Sequence, residues 1–168
     1  MNRADHTCEI TTPAAFTRRR VLNASADRAF AAIATSEGLR GWWTPLVGGT
    51  TAAGGDLRFE FEGLDQHIVM HVEASQRPSD VLWTCVRHTA LPEWAGTQVS
   101  WSFQDQHDGT CELRLAHIGL TASLECFEHC EIGWDRFLAS IAAYVERGQG
   151  NPYRDDGSGT CSTAKHDA

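Results

Sequence analysis

Three sets of residues have types and spacings that could do chemistry. His117, Cys85 and Cys111 fall at positions that alternate with polar neighbours, which in a strand puts them on the apolar face. A buried polar group without a partner costs about 1–3 kcal/mol, so such residues need an internal partner or a ligand. His117 could orient a carbonyl or hydroxyl of a bound molecule, or move a proton. The two thiols behave more simply as small hydrophobes. Cys126, His129 and Cys130 sit within one helical turn of each other, a spacing that could begin a zinc site. No fourth ligand is evident near them, so Cys130 reads as part of an apolar stripe, His129 as solvated, and no metal is expected. His67 and His71 would lie about 13 Å apart in a strand and cannot share an ion. Neither G-x-S-x-G nor a phosphate-cradling glycine motif is present. Glu60, Glu62, Glu73 and Glu112 fall on the polar side of their segments and read as surface charge. The sequence thus offers no catalytic constellation and implies no cofactor.

The tryptophans carry the stronger signal. There are six in 168 residues. Trp83, Trp101 and Trp134 take inward positions, and Trp42 and Trp43 stand side by side in a turn suited to cover the mouth of a cavity. An indole has a broad apolar body and one N–H donor, which suits the lining of a pocket for a flat apolar molecule. The expected ligand-binding set is Trp42, Trp43, Phe59, Met70, Trp83, Cys85, Trp101, His117, Phe127 and Trp134, with no catalytic residue and no metal ligand.

Positioning these side chains falls to a short list of elements. A first strand over 15–24 leads into a helix, with Asn23 and Ser25 as capping candidates and Ala29, Phe30, Ile33 and Ala34 at helical spacing. A Gly- and Thr-rich loop follows Pro45. Five segments then alternate with period two: Leu57-Phe59-Phe61, Ile68-Met70-Val72, Val81-Trp83-Cys85, Val99-Trp101-Phe103 and Cys111-Leu113-Leu115-His117. This is the pattern of an antiparallel sheet with one buried face. Turn residues separate the runs. From Ser123 to about Arg147 the spacing predicts one long helix, with Phe127, Cys130, Trp134, Phe137, Ile141 and Val145 in a stripe. Gly148 and Gly150 end it. The order defines an α+β fold in which about six strands curve around the last helix, leaving a hollow between them. A single domain over 14–151 is expected, with flexible polar arms at 1–13 and 152–168.

Composition narrows the partners. Lys and Arg number 14 against 22 Asp and Glu, a net charge of −8, and 42% of the residues are hydrophobic. An acidic chain makes a poor match for nucleic acid or for an anionic membrane surface. No apolar run reaches spanning length, and the first residues have no secretory core, so a cytoplasmic location with reduced thiols is expected.

Four stretches, in order, resemble a known family. VLNASADRAFAAIATSEGLRGWWT is similar to its first strand, helix and Trp-Trp turn. AAGGDLRFEF resembles its Gly-Gly entry to a strand, RPSDVLWTC its Pro-to-strand segment, and EIGWDRFLASIAAYVERGQGNP the end of its last helix. Together they cover most of 15–152. The family is the START-like, or Bet v 1-like (SRPBCC), superfamily, in the bacterial branch resembling the C-terminal domain of the activator of Hsp90 ATPase. The resemblance implies a helix-grip fold with a cavity between sheet and helix. Members bind apolar small molecules, and some are cyclases or aromatases. The expected function is non-catalytic binding of a small hydrophobic or aromatic molecule. The alternatives are a polyketide cyclase- or dehydratase-like enzyme using His117 with Arg87 or His88, and a chaperone-regulating interaction module. A homodimer is the candidate assembly.

Overall fold

The computed structural model describes residues 13–155. The expected arms at 1–12 and 156–168 lie outside the described residues. Seven strands and three helices follow the order β1 (Ala15–Leu22), α1 (Ala26–Ala34), α2 (Ser36–Trp42), β2 (Leu46–Gly49), β3 (Asp56–Glu60), β4 (His67–Gln76), β5 (Asp80–His88), β6 (Gln98–Asp105), β7 (Cys111–Ile118) and α3 (Phe127–Arg147). A single 3-10 turn, Pro92–Trp94, bridges β5 and β6. The sheet is fully antiparallel in the order β1-β7-β6-β5-β4-β3-β2. The expected six strands become seven because Leu46–Gly49 pairs with β3 within the segment read as a loop. Two glycines and no alternation hide so short an edge strand from a sequence reading.

The period-two reading of the buried face holds. Along β7, Cys111, Leu113, Leu115 and His117 are buried while Glu112, Arg114 and Ala116 are not, and β5 and β6 repeat the pattern. Register shifts in β4 at Val69/Met70 and between Val72 and Ala74 add bends to the sheet. α3 packs its stripe of Cys130, Trp134, Leu138, Ile141, Ala142 and Val145 onto this face.

α1 starts at Ser25, whose hydroxyl accepts from the Arg28 N–H (3.2 Å). Thr35 starts α2 in the same way, accepting from Gly38 N–H (3.0 Å). Both glycines of α2 are needed for close packing. A Cβ on Gly38 would lie 2.6 Å from backbone atoms of α1, and one on Gly41 would collide with the Tyr144 ring of α3. α3 begins at Phe127, four residues later than expected, since 121–126 forms turns. It ends at Gly148, in the left-handed conformation at φ 77°, as the sequence implies.

The chain does not leave the domain at residue 152. Residues 149–155 return across the end of α2, and Tyr153 is buried with its ring edge-on to Phe61 (5.5 Å between centroids). The part of the expected flexible tail that is described is therefore a packed strap.

Candidate functional site

The interval between sheet and α3 is filled with rings. Trp43, the residue that caps α2, touches five others: Phe59 on β3 (4.2 Å between centroids), Trp42 (5.4 Å), Trp134 on α3 (5.9 Å), Trp83 on β5 (6.1 Å) and Phe137 on α3 (6.1 Å). Beneath it Trp101 on β6 meets Trp42, Trp83 and Trp134 nearly edge-on, at 5.7–5.8 Å. The hollow expected here is occupied by Trp43, held against both walls at once. Large residues at alternating sheet positions and on the helix stripe meet each other before they leave a space. The sequence pattern fixed their direction but not the distance between the two walls.

Backbone bonds hold Trp42 and Trp43 in place. The Ser140 hydroxyl donates to the Trp42 carbonyl and accepts from the Asn151 N–H, both at 2.7 Å. Tyr153 N–H donates to the Trp43 carbonyl (2.7 Å). The strap and α3 thus clamp the end of α2 whose side chain fills the interior.

A second, more polar cluster adjoins the rings. The indole N–H of Trp134 donates to His117 Nδ1 (3.0 Å), so a neutral His117 carries its proton on Nε2. That nitrogen donates to Thr97 Oγ1 (2.9 Å), whose own proton goes to the Trp94 carbonyl (2.6 Å). His88 Nδ1 accepts from Leu91 N–H (3.0 Å), and its ring stands edge-on to Trp94. Trp94 stacks on Trp134 (5.9 Å, 13°) and donates to Cys130 Sγ (3.2 Å). Burial lowers both histidines to about 4; His129 and His67 lower His88 further, and His88 lowers His117. Both are neutral near pH 7. Burial raises Cys85 and Cys111 to about 11. Burial and the neighbouring Cys130 raise Cys126 to about 12. These are unreactive thiols.

The ten expected site residues divide as follows. Trp42, Trp43, Phe59, Trp83, Trp101 and Trp134 form the ring cluster. Met70 and Cys85 are buried on the same sheet face. His117 is brought to the cluster, but both its nitrogens are already bonded, so its role here is structural. Cys111, outside these ten, shares the face of His117 yet lies at the other end of β7, opposite Leu22. Phe127 is drawn away from the cluster: it packs on Phe16 (6.1 Å) and lines a surface groove of about 390 Å³ with Leu120, Arg18 and Glu131. Of the two alternative enzyme residues, Arg87 is exposed and His88 is buried under Trp94. Of the Cys126, His129 and Cys130 trio, the thiols are buried and His129 is exposed. No three His, Cys, Asp or Glu side chains among the described residues are placed to hold a metal ion. The sequence reading missed Trp94, Thr97 and Tyr153. Trp94 and Thr97 sit in a turn and Tyr153 in a polar tail, where no periodicity marks them.

A curved antiparallel sheet closed by a long C-terminal helix is the helix-grip fold of the SRPBCC, or Bet v 1-like, proteins. Within that class the profile of the family described as "Activator of Hsp90 ATPase homolog 1-like protein" matches residues 23–146, and the chain belongs to this family. No curated protein matches the sequence. Among solved structures, the Aha1 dimer of Colwellia psychrerythraea superposes with a TM-score of 0.71 at 23% identity, over 82% of this chain and 99% of that one. CalU16 of Micromonospora echinospora superposes at 0.63 and 16% identity, over 85% and 88%. DynU16, a protein of the dynemicin biosynthetic locus, superposes at 0.65 and 16% identity, over 81% and 48%. At these identities the likeness carries the fold. No helix among the described residues is long and apolar enough to cross a membrane.

Proposed function

We propose that the protein binds a small, flat, apolar molecule between the concave face of the sheet and α3, and that the ligand takes the place of the Trp43 ring. The observation that carries this reading is the position of Trp43. One side chain, borne at the C-terminal cap of a seven-residue helix, reaches both walls and packs among Phe59, Trp83, Trp134 and Phe137. A ring of this size stands where a bicyclic aromatic ligand would be held, and moving a short helix would vacate it. The location of DynU16 in a biosynthetic locus supports a small-molecule role for this fold. The reading involves no proton transfer by His117, whose nitrogens are engaged.

Calorimetric titration of Trp43→Ala with indane tests the proposal. The vacated ring site should bind indane at least tenfold more tightly than the unaltered protein does. A folded variant that binds no indane contradicts it.

A second reading has its own observation. The groove beside β1 is open to the surface and is lined by Phe16, Leu120 and Phe127 together with Arg18 and Glu131. It suits association with a second copy of the chain, and the Colwellia relative is a dimer. Sedimentation of the protein and of Phe127→Glu decides this: a dimer that Phe127→Glu converts to monomer supports it, and a monomer at every concentration refutes it.

A further inference from the structure

We propose that the indole N–H of Trp101 is the polar anchor of the interior site, and that it selects a neutral, flat ligand carrying one hydrogen-bond acceptor oxygen. This rests on the interior-binding reading above and adds the ligand's chemical class to it.

Trp101 lies in the middle of β6, paired with Val81 of β5 and Leu115 of β7, and is fully buried. Its Nε1 is the one buried side-chain nitrogen or oxygen among the described residues with no hydrogen-bond partner. Three other indoles of the core are provided for. Trp42 donates to the Ala32 carbonyl (2.8 Å), Trp94 to Cys130 Sγ and Trp134 to His117 Nδ1. Trp101 alone of these four has no acceptor for its N–H. Edge-on indole faces offer an N–H group a weak contact that does not replace an oxygen. A buried water needs two or more polar partners, and the ring contacts of Trp101 are three other indoles, of which Trp42 and Trp134 already have their N–H groups engaged. A largely apolar molecule with its own oxygen satisfies both requirements, since its body packs on the rings and its acceptor takes the donor.

The site is also matched to an uncharged ligand. The buried polar residues among those described are Thr44, His88, Thr97, His117 and Ser140, with no Arg or Lys. A carboxylate drawn into this interior would meet no cation. Trp43 and Trp101 share three ring neighbours, Trp42, Trp83 and Trp134, so space vacated by Trp43 opens onto the rings that wall in the anchor.

The test compares 1-indanone with indane, bicyclic molecules that share a ring skeleton and differ by one carbonyl. Calorimetry is run on Trp43→Ala and on Trp43→Ala carrying Trp101→Phe as well. The ratio of indanone to indane affinity should fall about tenfold when Trp101 is replaced, the size of one hydrogen bond, with desolvation and cavity changes cancelling in the ratio. The ¹⁵N-labelled indole resonance of Trp101 should shift downfield with indanone and not with indane. If both molecules bind and the ratio is unchanged by Trp101→Phe, the anchor is refuted and interior binding stands. If neither binds to folded Trp43→Ala, the interior site itself is refuted and the anchor with it.

Discussion

Trp134 Nε1 donates to His117 Nδ1 across 3.0 Å, a bond that ties α3 to β7 in the middle of the core. It fixes the proton of His117 on Nε2 and aims it at Thr97. A residue that looks catalytic in sequence is thereby made a brace between helix and sheet.

Burial of His117 and His88 makes stability depend on pH. His117 and His88 are lowered to about 4, against an ordinary value of 6.5, mainly by burial. Their folded forms resist protonation, whereas the unfolded chain takes up protons near 6.5. Stability from these groups is complete above pH 6.5 and is lost as pH falls towards 4. Urea denaturation at pH 7.0 and 4.5 should show a loss of a few kcal/mol. His117→Gln should flatten the slope. A midpoint that does not move across this window contradicts the prediction.

Two aromatic substitutions should separate. Trp134→Phe removes the donor to His117 and leaves a buried acceptor unpaired. Trp101→Phe removes a donor that has no partner. Both lose similar volume, so Trp134→Phe should be the more destabilising by about 1–3 kcal/mol in equilibrium denaturation. Equal losses would show that the His117 bond adds nothing.

The strap should control the interior. Ser140→Ala leaves the Trp42 carbonyl and the Asn151 N–H without their shared partner. Tyr153→Ala removes the ring that packs on Phe61. Either change should speed amide exchange at Asn151 and Tyr153 and increase acrylamide quenching of tryptophan fluorescence. Unchanged exchange and quenching would mean that the strap does not hold the Trp42–Trp43 turn.

The surface ion pairs should matter less. Arg77 makes two bonds to Asp27 (2.6 and 2.7 Å), and Arg18 reaches Glu131 (2.7 Å) and Asp135 (2.8 Å), all at exposed or half-exposed positions. Arg77→Gln should cost less than about 1 kcal/mol and should respond to salt, as thermal melts at low and high salt would show.

Much of the fold was legible because burial on one face of a sheet writes itself as alternation. Val99, Trp101 and Phe103 against Ser100 and Ser102 give the face and the element together, and Gly148 marks the end of the last helix. β2 was not legible, since Leu46–Gly49 has two glycines and little side chain to alternate. The start of α3 was misplaced because Ser123 and Glu125 resemble a helix entry, while the turns at 121–126 intervene. For the site, direction could be read and distance could not. The inward tryptophans were identifiable by parity. That Trp43 fills the space between them depends on how the end of α2 is clamped by Ser140 and by Tyr153, each roughly a hundred residues from its partner in the chain. His117 was identifiable as buried, yet its partners Thr97 and Trp134 lie on different elements and leave no spacing signature.

The most direct measurement is a titration of ¹⁵N-labelled protein with 1-indanone, followed through the tryptophan indole resonances. Interior binding predicts that the signals of Trp42, Trp83, Trp101 and Trp134 move together and saturate, while amides of Phe16, Leu120 and Phe127 stay in place. Shifts confined to those three positions lining the groove beside β1, with the indole signals unmoved, would contradict a ligand site between sheet and helix.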